Sequence, residues 1–285
     1  MTNGPTIPAN KYSTIAYLGE GAHSKVYLGC NVNTNERVAL KVCKKSKMTT
    51  EQVAQLQKEI EILKKLNSIP SEEKNILQLK DVIDDKERIC LVSDYIEGGE
   101  LHDYCDQYPN GVPERISKWI FKKVLNAVDK VHDNDICHLD LKLENVMYNK
   151  DSHQAKLIDF GFASETAEIN PTTKEKVEKL QTNYCGSVHY AAPEIVKRTP
   201  FNGKKADVWS LGVLLFVLLS GLFPFDDSRS RVEVIFDKIV AAEFFTPSYL
   251  SSDAQSLLKI MLQADPTKRP TVKEVLKHPW FSVRF

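Results

Sequence analysis

The stretch Ile136–Tyr148, ICHLDLKLENVMY, decides how the rest of the chain is read. It sets Asp140 two places before Lys142 and five before Asn145. Phosphoryl transfer needs those residue types close together. A carboxylate orients an attacking hydroxyl and takes its proton, a cation offsets charge on the moving phosphoryl group, and an amide oxygen helps hold Mg²⁺. Alone, H-x-D-x-K-x-x-x-N also suits a polar turn between a helix and a strand. The weight therefore falls on what flanks it.

Composition narrows the field. The chain has 285 residues, 42% of them hydrophobic, enough for one large domain or two modest lobes. Lys+Arg and Asp+Glu each total 38, so the chain lacks the basic footprint of a general nucleic-acid binder. Cys30, Cys43, Cys90, Cys105, Cys137 and Cys185 show no C-x-x-C spacing. They read as reduced thiols of a cytoplasmic or nuclear protein. The N-terminus has no apolar signal core, and the most apolar run, Leu211–Leu219, is too short for a membrane span. It reads as a buried core helix.

N-terminal to the opening stretch the pattern is β-like. Residues 1–11 form a flexible lead, then Tyr12–Leu18, Lys25–Gly29 and Arg37–Lys44 read as strands. Gly19, Glu20 and Gly21 open G-x-G-x-x-S-x-V between the first two, with Val26 at its end. Two glycines let a hairpin backbone lie close over phosphate oxygens. A dinucleotide fingerprint would need a helix after the glycines, not a strand. In the third strand, alternation puts Ala39 and Lys41 on one face. An inward Lys needs a partner. Glu51–Leu66 reads as a helix with Thr50 as N-cap, and at roughly 100° per residue Glu59 falls inside the apolar stripe of Leu56, Ile60 and Leu63. That carboxylate is the predicted partner of Lys41.

Leu77–Ile83 and Arg88–Ser93 read as further strands, leading to a Gly98-Gly99 joint. Past it the pattern is mainly helical. Pro113 starts a helix striped by Ile116, Ile120, Val124, Val128 and Val131. Lys156–Ile158 reads as a strand running into Asp159-Phe160-Gly161, which can offer its carboxylate to Mg²⁺. Residues 163–184 read as a solvated loop. CGSVHYAAPE, DVWS, KRPT and HPWF follow in that order.

These motifs, in this order, resemble the eukaryotic protein kinase family from Tyr12 to Phe281. The wording of CGSVHYAAPEI and KRPTVKEVLKHPWF looks most like serine/threonine kinases of the calmodulin-dependent and Snf1-related group. The resemblance implies an α+β bilobal fold: a small β-rich lobe over 12–93, a hinge over 94–100 and a larger helical lobe over 101–285. It implies ATP and Mg²⁺ as cofactors, protein substrates bearing Ser or Thr, no nucleic-acid or membrane partner, and a monomeric catalytic domain. By matched position, Gly19, Glu20 and Gly21 would cover the phosphates, Lys41 would reach them, and Glu59 would hold Lys41. Val26, Ala39 and Met147 would sandwich the adenine, with backbone groups of Asp94 and Ile96 as its partners and Ser93 as gatekeeper. Asp140 would orient the hydroxyl, Lys142 would approach the γ-phosphate, and Asn145 and Asp159 would hold the metal. Leu63, Leu79, His138 and Phe160 would form an internal stack. Glu194 and Arg269 look like the buried ion pair of the large lobe, and Asp207 like the anchor of the catalytic loop. Lys142 and Ser187 favour Ser/Thr over Tyr as acceptor. Glu100, Glu144 and Asp237 would select basic residues upstream of the acceptor, and Val188 would face the residue after it.

Two departures bear on regulation. Leu139 replaces the Arg that usually binds an activation-loop phosphate, and a leucine has no donors. Asn183 occupies the usual phosphorylated position, with Thr182 one place off register. Activity independent of loop phosphorylation is the expectation. The alternative to an active enzyme is a pseudokinase scaffold, which would have no need of Lys41, Glu59, Asp140, Asn145 and Asp159 together.

Overall fold

The computed structural model describes residues 11–21, 24–70 and 75–282. They fall into two compact units, one up to Glu97 and one from Gly98 on.

The first unit is a sheet and a helix. Strands β1 (Tyr12–Glu20), β2 (Ser24–Asn31), β3 (Arg37–Lys44), β4 (Leu79–Asp84) and β5 (Arg88–Asp94) form one antiparallel sheet in the order β1-β2-β3-β5-β4. The period-2 alternation of β3 gives both faces an apolar layer. Val38, Leu40 and Val42 bury with Tyr12, Cys90 and Val92 on one side. Cys43 packs on the other with Ile89, Leu91 and the Leu56 and Ile60 side chains of helix α1 (Thr50–Asn67). Each such buried aliphatic contributes about 1.5–3 kcal/mol. The helix begins one residue earlier than the sequence suggests. Thr49, not Thr50, is the N-cap: its hydroxyl accepts from the Gln52 N–H and the Gln52 side chain accepts from the Thr49 N–H, a reciprocal capping box. Gln52 is the signal that sets the register, since it must stand three places after the cap.

The second unit is mainly helical. Strand β6 (Gly99–Glu100) leads into helix α2 (Leu101–Cys105), then α3 (Glu114–Asp133) and strand β7 (Ile136–Cys137). Gly98 adopts φ +113°, and a Cβ there would meet the Tyr148 carbonyl oxygen at 2.3 Å. Only glycine fits. Strands β8 (Val146–Asn149) and β9 (Gln154–Leu157) form a hairpin whose other edge is β6. Strands β10 (Ser164–Glu165), β11 (Ala167–Ile169) and β12 (Lys176–Glu178) precede helices α4 (Pro193–Val196), α5 (Gly203–Ser220), α6 (Val232–Ala241), α7 (Ser252–Met261) and α8 (Val272–Leu276). Helix α5 carries the Leu211–Leu219 run and is buried all round. No described helix is long and apolar enough to cross a membrane.

Residues 163–184 are more ordered than a solvated loop. Strand β10 pairs with β7, and β11 and β12 form a hairpin. Its turn is built by Asn170, whose side-chain oxygen accepts from the Thr172 and Thr173 N–H groups, with Lys174 at φ +60°. Polar composition hid this because the ladder uses backbone groups, which hydropathy does not register.

Candidate catalytic site

In the first unit, β3 presents Lys41 on the face that meets α1. Its Nζ lies 2.8 Å from Oε1 of Glu59, which is only 5% exposed. The pair explains the carboxylate in the apolar stripe, because a buried charge persists only when paired. Facing residues in an antiparallel ladder share a side of the sheet. Val26 faces Lys41 across β2–β3, and Ala39 faces Ser93 across β3–β5. The register thus groups Val26, Ala39, Lys41 and Ser93 on one face. Gly19 and Glu20 end β1, and the Gly21 N–H donates to the Ser24 carbonyl at 3.0 Å. Space around a Cβ at Gly19 is open, with no atom within 4 Å. Ala22 and His23, in the middle of the glycine motif, lie outside the described residues. The Asp94 N–H donates to Gln78, whereas the N–H of Ile96 has no partner among the described residues. Leu63 and Leu79 also belong to this unit.

In the second unit the loop from His138 to Asn145 hangs from one buried carboxylate. Asp207, near the start of α5, accepts the His138 N–H on Oδ2 and the Leu139 N–H on Oδ1, each at 2.8 Å, and its Oδ2 lies 2.8 Å from His132 Nε2. This grip holds Leu139 at φ +65°, a left-handed conformation that costs a non-glycine residue roughly 1–2 kcal/mol. His138 is fully buried, and that burial pushes its pKa below the ordinary histidine range, so the ring is neutral. Its two nitrogens then divide their roles. Nδ1 accepts the Asp140 N–H at 3.3 Å and Nε2–H donates to the Ile158 carbonyl at 3.2 Å. His138 stacks edge-on against Phe160, ring centroids 4.9 Å apart.

Four candidate side chains come together at this loop. Lys142 Nζ is 2.9 Å from Asp140 Oδ2 and donates to Ser187 Oγ at 3.1 Å. Asn145 Nδ2 donates to the Asp140 carbonyl at 2.7 Å and to its Oδ2 at 2.9 Å. Both acceptors are oxygens, so the amide nitrogen must face them and Oδ1 is turned away as a potential ligand. Asp159 is drawn to the same end by the β8–β9 ladder. Val146 pairs with Leu157, and the Ile158 N–H donates to the Asn145 carbonyl at 2.9 Å. Asn145 and Asp159 are therefore neighbours at one hairpin end, with the Asp159 side chain exposed at φ +57°. An amide oxygen and an exposed carboxylate suit a hard, oxygen-preferring cation such as Mg²⁺. Met147, one strand position on, faces Glu100 of β6.

The substrate-facing candidates split. Glu100 holds its proton more tightly than an ordinary Glu, first through partial burial of its carboxyl group and then through the charges of Asp103 and Glu144, with His102 and Lys142 opposing. Glu144 carries a buried Oε2 with no hydrogen-bond partner. Glu100, Glu144 and Lys142 are thus within electrostatic reach of one another. Val188 follows Ser187 in a short 3₁₀ turn. Asp237 sits exposed on α6. Among the described residues, no hydrogen bond or ion pair ties it to the others.

Sequence reasoning did not single out His132, the second histidine-side partner of Asp207. Nothing in its spacing marks it: it falls in the last turn of α3 and reads as an ordinary helix-terminal residue. Glu194 and Arg269 do pair. Two 2.7 Å bonds join them, and the guanidinium also reaches the carbonyls of Gln263, Ala264 and Lys205.

A small sheet carrying a helix-paired lysine, together with a helical unit that clusters Asp, Lys and Asn beside a second Asp, defines the class: phosphoryl-transfer catalysts of the kinase type. Residues 12–281 match the protein kinase domain, and the chain belongs to that family. A probable serine/threonine-protein kinase of Dictyostelium discoideum is 36% identical over 269 residues, covering 94% of this chain. The chain spans only 30% of that relative's length. Membership implies use of ATP and a divalent cation.

Proposed function

We propose that the chain transfers the γ-phosphoryl group of ATP to serine or threonine hydroxyls of proteins. The observation that carries this reading is the Asp140–Lys142–Asn145–Ser187 cluster. Asp140 is placed to orient the acceptor hydroxyl and take its proton, held by Asn145 and by its own backbone bond to His138. Lys142, between Asp140 and Ser187, is placed to offset charge on the transferring group. Glu59 keeps Lys41 extended toward the phosphates. Asn145 Oδ1 and the Asp159 carboxylate would hold Mg²⁺, which supplies charge neutralisation of the phosphates when bound. Val26, Ala39 and Met147 would contact the adenine, and the unpartnered N–H of Ile96 supports its role as a donor to the base. The curated relative's description supports Ser/Thr as acceptor.

The finer reading has three parts. The chain sits with the calmodulin-dependent and Snf1-related group by its motif wording. It prefers basic residues upstream of the acceptor, because Glu100 and the unpartnered Glu144 carboxylate are sinks for a guanidinium. It acts in the cytoplasm or nucleus as a monomeric domain, a reading supported by six cysteines that are all free of disulfides.

Independence from loop phosphorylation is also part of the proposal. Leu139 is buried and apolar, so it offers no phosphate ligand. The segment is tied down by other means: β10 on β7, Lys176 on Asp135, Asn202 on Glu178, and a bridge between Gln181 and Phe201.

The test is transfer of labelled phosphate to a basic protein, with Asp140→Asn as control. Removal of the general base should lower the rate roughly 10²–10⁴-fold. Equal rates in the two proteins would reject the catalytic reading in favour of a scaffold.

A further inference from the structure

A cavity of about 240 Å³ lies between the N-terminal half of α3 and the β8–β9 hairpin, lined by Arg115, Ile116, Trp119, Tyr148 and His153. None of these residues takes part in the catalytic cluster. Its walls are mainly aromatic and aliphatic. Trp119 is 38% exposed and packs on His153 with centroids 5.3 Å apart, and the Tyr148 hydroxyl lies 3.4 Å from His153 Nδ1. A fully buried core site would not leave a tryptophan so open.

The rim is basic. At roughly 100° per residue, Arg115, Trp119, Lys122 and Lys123 share one stripe of α3. Lys123 Nζ stands 5.6 Å above the Trp119 ring. The Arg115 guanidinium is exposed and makes no hydrogen bond or ion pair with any described residue. The nearest acid in sequence, Glu114, is spent elsewhere: its carboxylate accepts from Ser251 Oγ at 2.6 Å and from Trp280 Nε1 at 2.7 Å. On the hairpin turn, Lys150 and Asp151 offset each other in formal charge.

We propose that this cavity and its basic rim are a docking site for an acidic peptide segment that inserts one apolar side chain. The side chain, phenylalanine or leucine in size, lies against Ile116, Trp119 and Tyr148, and a flanking carboxylate of the segment meets Arg115. Size and charge choose this occupant. Pockets for whole small ligands run to about 300–1,000 Å³, so this one suits a single anchor better than a cofactor. A basic rim repels basic segments and draws acidic ones, and a guanidinium pairs with a carboxylate in a bidentate fork. The inference stands apart from the catalytic reading, since neither the site nor its test involves phosphate transfer.

The test is a fluorescence-anisotropy titration of the full chain with a labelled peptide, Glu-Asp-Glu-Phe-Glu-Asp-Glu, at low salt. Saturable binding is expected. Arg115→Glu should weaken it at least about tenfold, as reversal of a pairing charge does. Replacing the peptide's Phe by Ala should weaken it about tenfold or more, the loss of one buried aromatic anchor. A Lys/Phe peptide of reversed charge should not bind. Both substitutions act on exposed or peptide positions, and an unchanged melting temperature of Arg115→Glu separates lost docking from lost fold. A second variant, Trp119→Ala, should lose the Phe-over-Ala preference. No saturation up to about 1 mM overturns the proposal. So does equal affinity for the Phe and Ala peptides, equal affinity of wild type and Arg115→Glu, or binding of free N-acetyl-phenylalanine amide as tight as that of the peptide.

Discussion

The two units each hold a buried carboxylate paired with a cation, and the pairs are built differently. Glu194–Arg269 is sealed: the Arg side chain is 0% exposed, both bonds are made, and carbonyl oxygens take the remaining guanidinium donors. Its face also covers the Trp209 ring, 5.1 Å away. Lys41–Glu59 is half open: Glu59 is buried, yet the Lys side chain is 31% exposed and spends a 2.8 Å contact on its partner. One pair is closed off from water on every side. In the other the carboxylate is buried while the cation keeps a face toward water.

The largest effect tests the sealed pair. Arg269→Met leaves Glu194 buried without its partner, so stability should fall by about 3–5 kcal/mol, measured as a shift in the urea midpoint. A shift under about 1 kcal/mol would mean that the pair is dispensable and the contrast is misdrawn. Next comes the open pair. Lys41→Met should lower kcat/KM about 10²–10³-fold, the usual loss for one electrostatic contact to reacting oxygens. Its stability loss should be smaller than that of Arg269→Met, because water reaches one side of the site. If Lys41→Met unfolds the chain as readily as Arg269→Met does, the open pair is structural too.

The same contrast explains what the sequence made legible. Glu59 stood out because a carboxylate inside the stripe of Leu56, Ile60 and Leu63 violates amphipathic order, and periodicity exposes such violations. Asp140, Lys142 and Asn145 were legible because they are close in the chain. The approach of Asp159 to Asn145 was less so, since it depends on the pairing of Val146 with Leu157 rather than on any local pattern. The hairpin at 167–178 was not legible at all. Its strands are three residues each and polar, and what fixes them is the Asn170 turn together with backbone anchors such as Thr166 N–H on the Asp135 carbonyl, 2.8 Å. Thr49 was missed as a cap by one residue because Thr50 is chemically identical, and only the reciprocal bond to Gln52 distinguishes them.

A smaller effect probes the acidic candidates Glu100 and Glu144. Glu100 is an exposed residue whose carboxyl group is only partly buried, so its attraction for an incoming guanidinium is worth about 0.2–1 kcal/mol. Glu100→Gln should therefore raise KM for a peptide with an upstream Arg about two- to fivefold and leave kcat unchanged. Glu144→Gln should cost more, because its Oε2 is buried and a partner there is worth more in low dielectric. Equal kinetics on Arg-containing and Arg-free peptides would remove both residues from specificity.

The smallest effect lies in the segment between Asp159 and Glu194. In a kinase switched by loop phosphate, the new charge offsets an arginine beside the catalytic Asp and thereby orders the loop. Here that neighbour is Leu139, apolar and buried, and the ordering contacts are already made by β10, the β11–β12 hairpin and Gln181. Gln181 is 5% exposed and its amide donates to the carbonyls of Glu165 and Lys179. Thr182 directly follows it and is exposed. A phosphate on Thr182 would find the segment already seated, so Thr182→Ala and phosphatase treatment should each leave kcat/KM within about twofold, a change of less than 0.5 kcal/mol in barrier. Gln181→Ala, by contrast, removes an internal fastening and should lower activity more than Thr182→Ala does. The opposite order of the two variants would show that the segment is held by its modification and not by its own backbone.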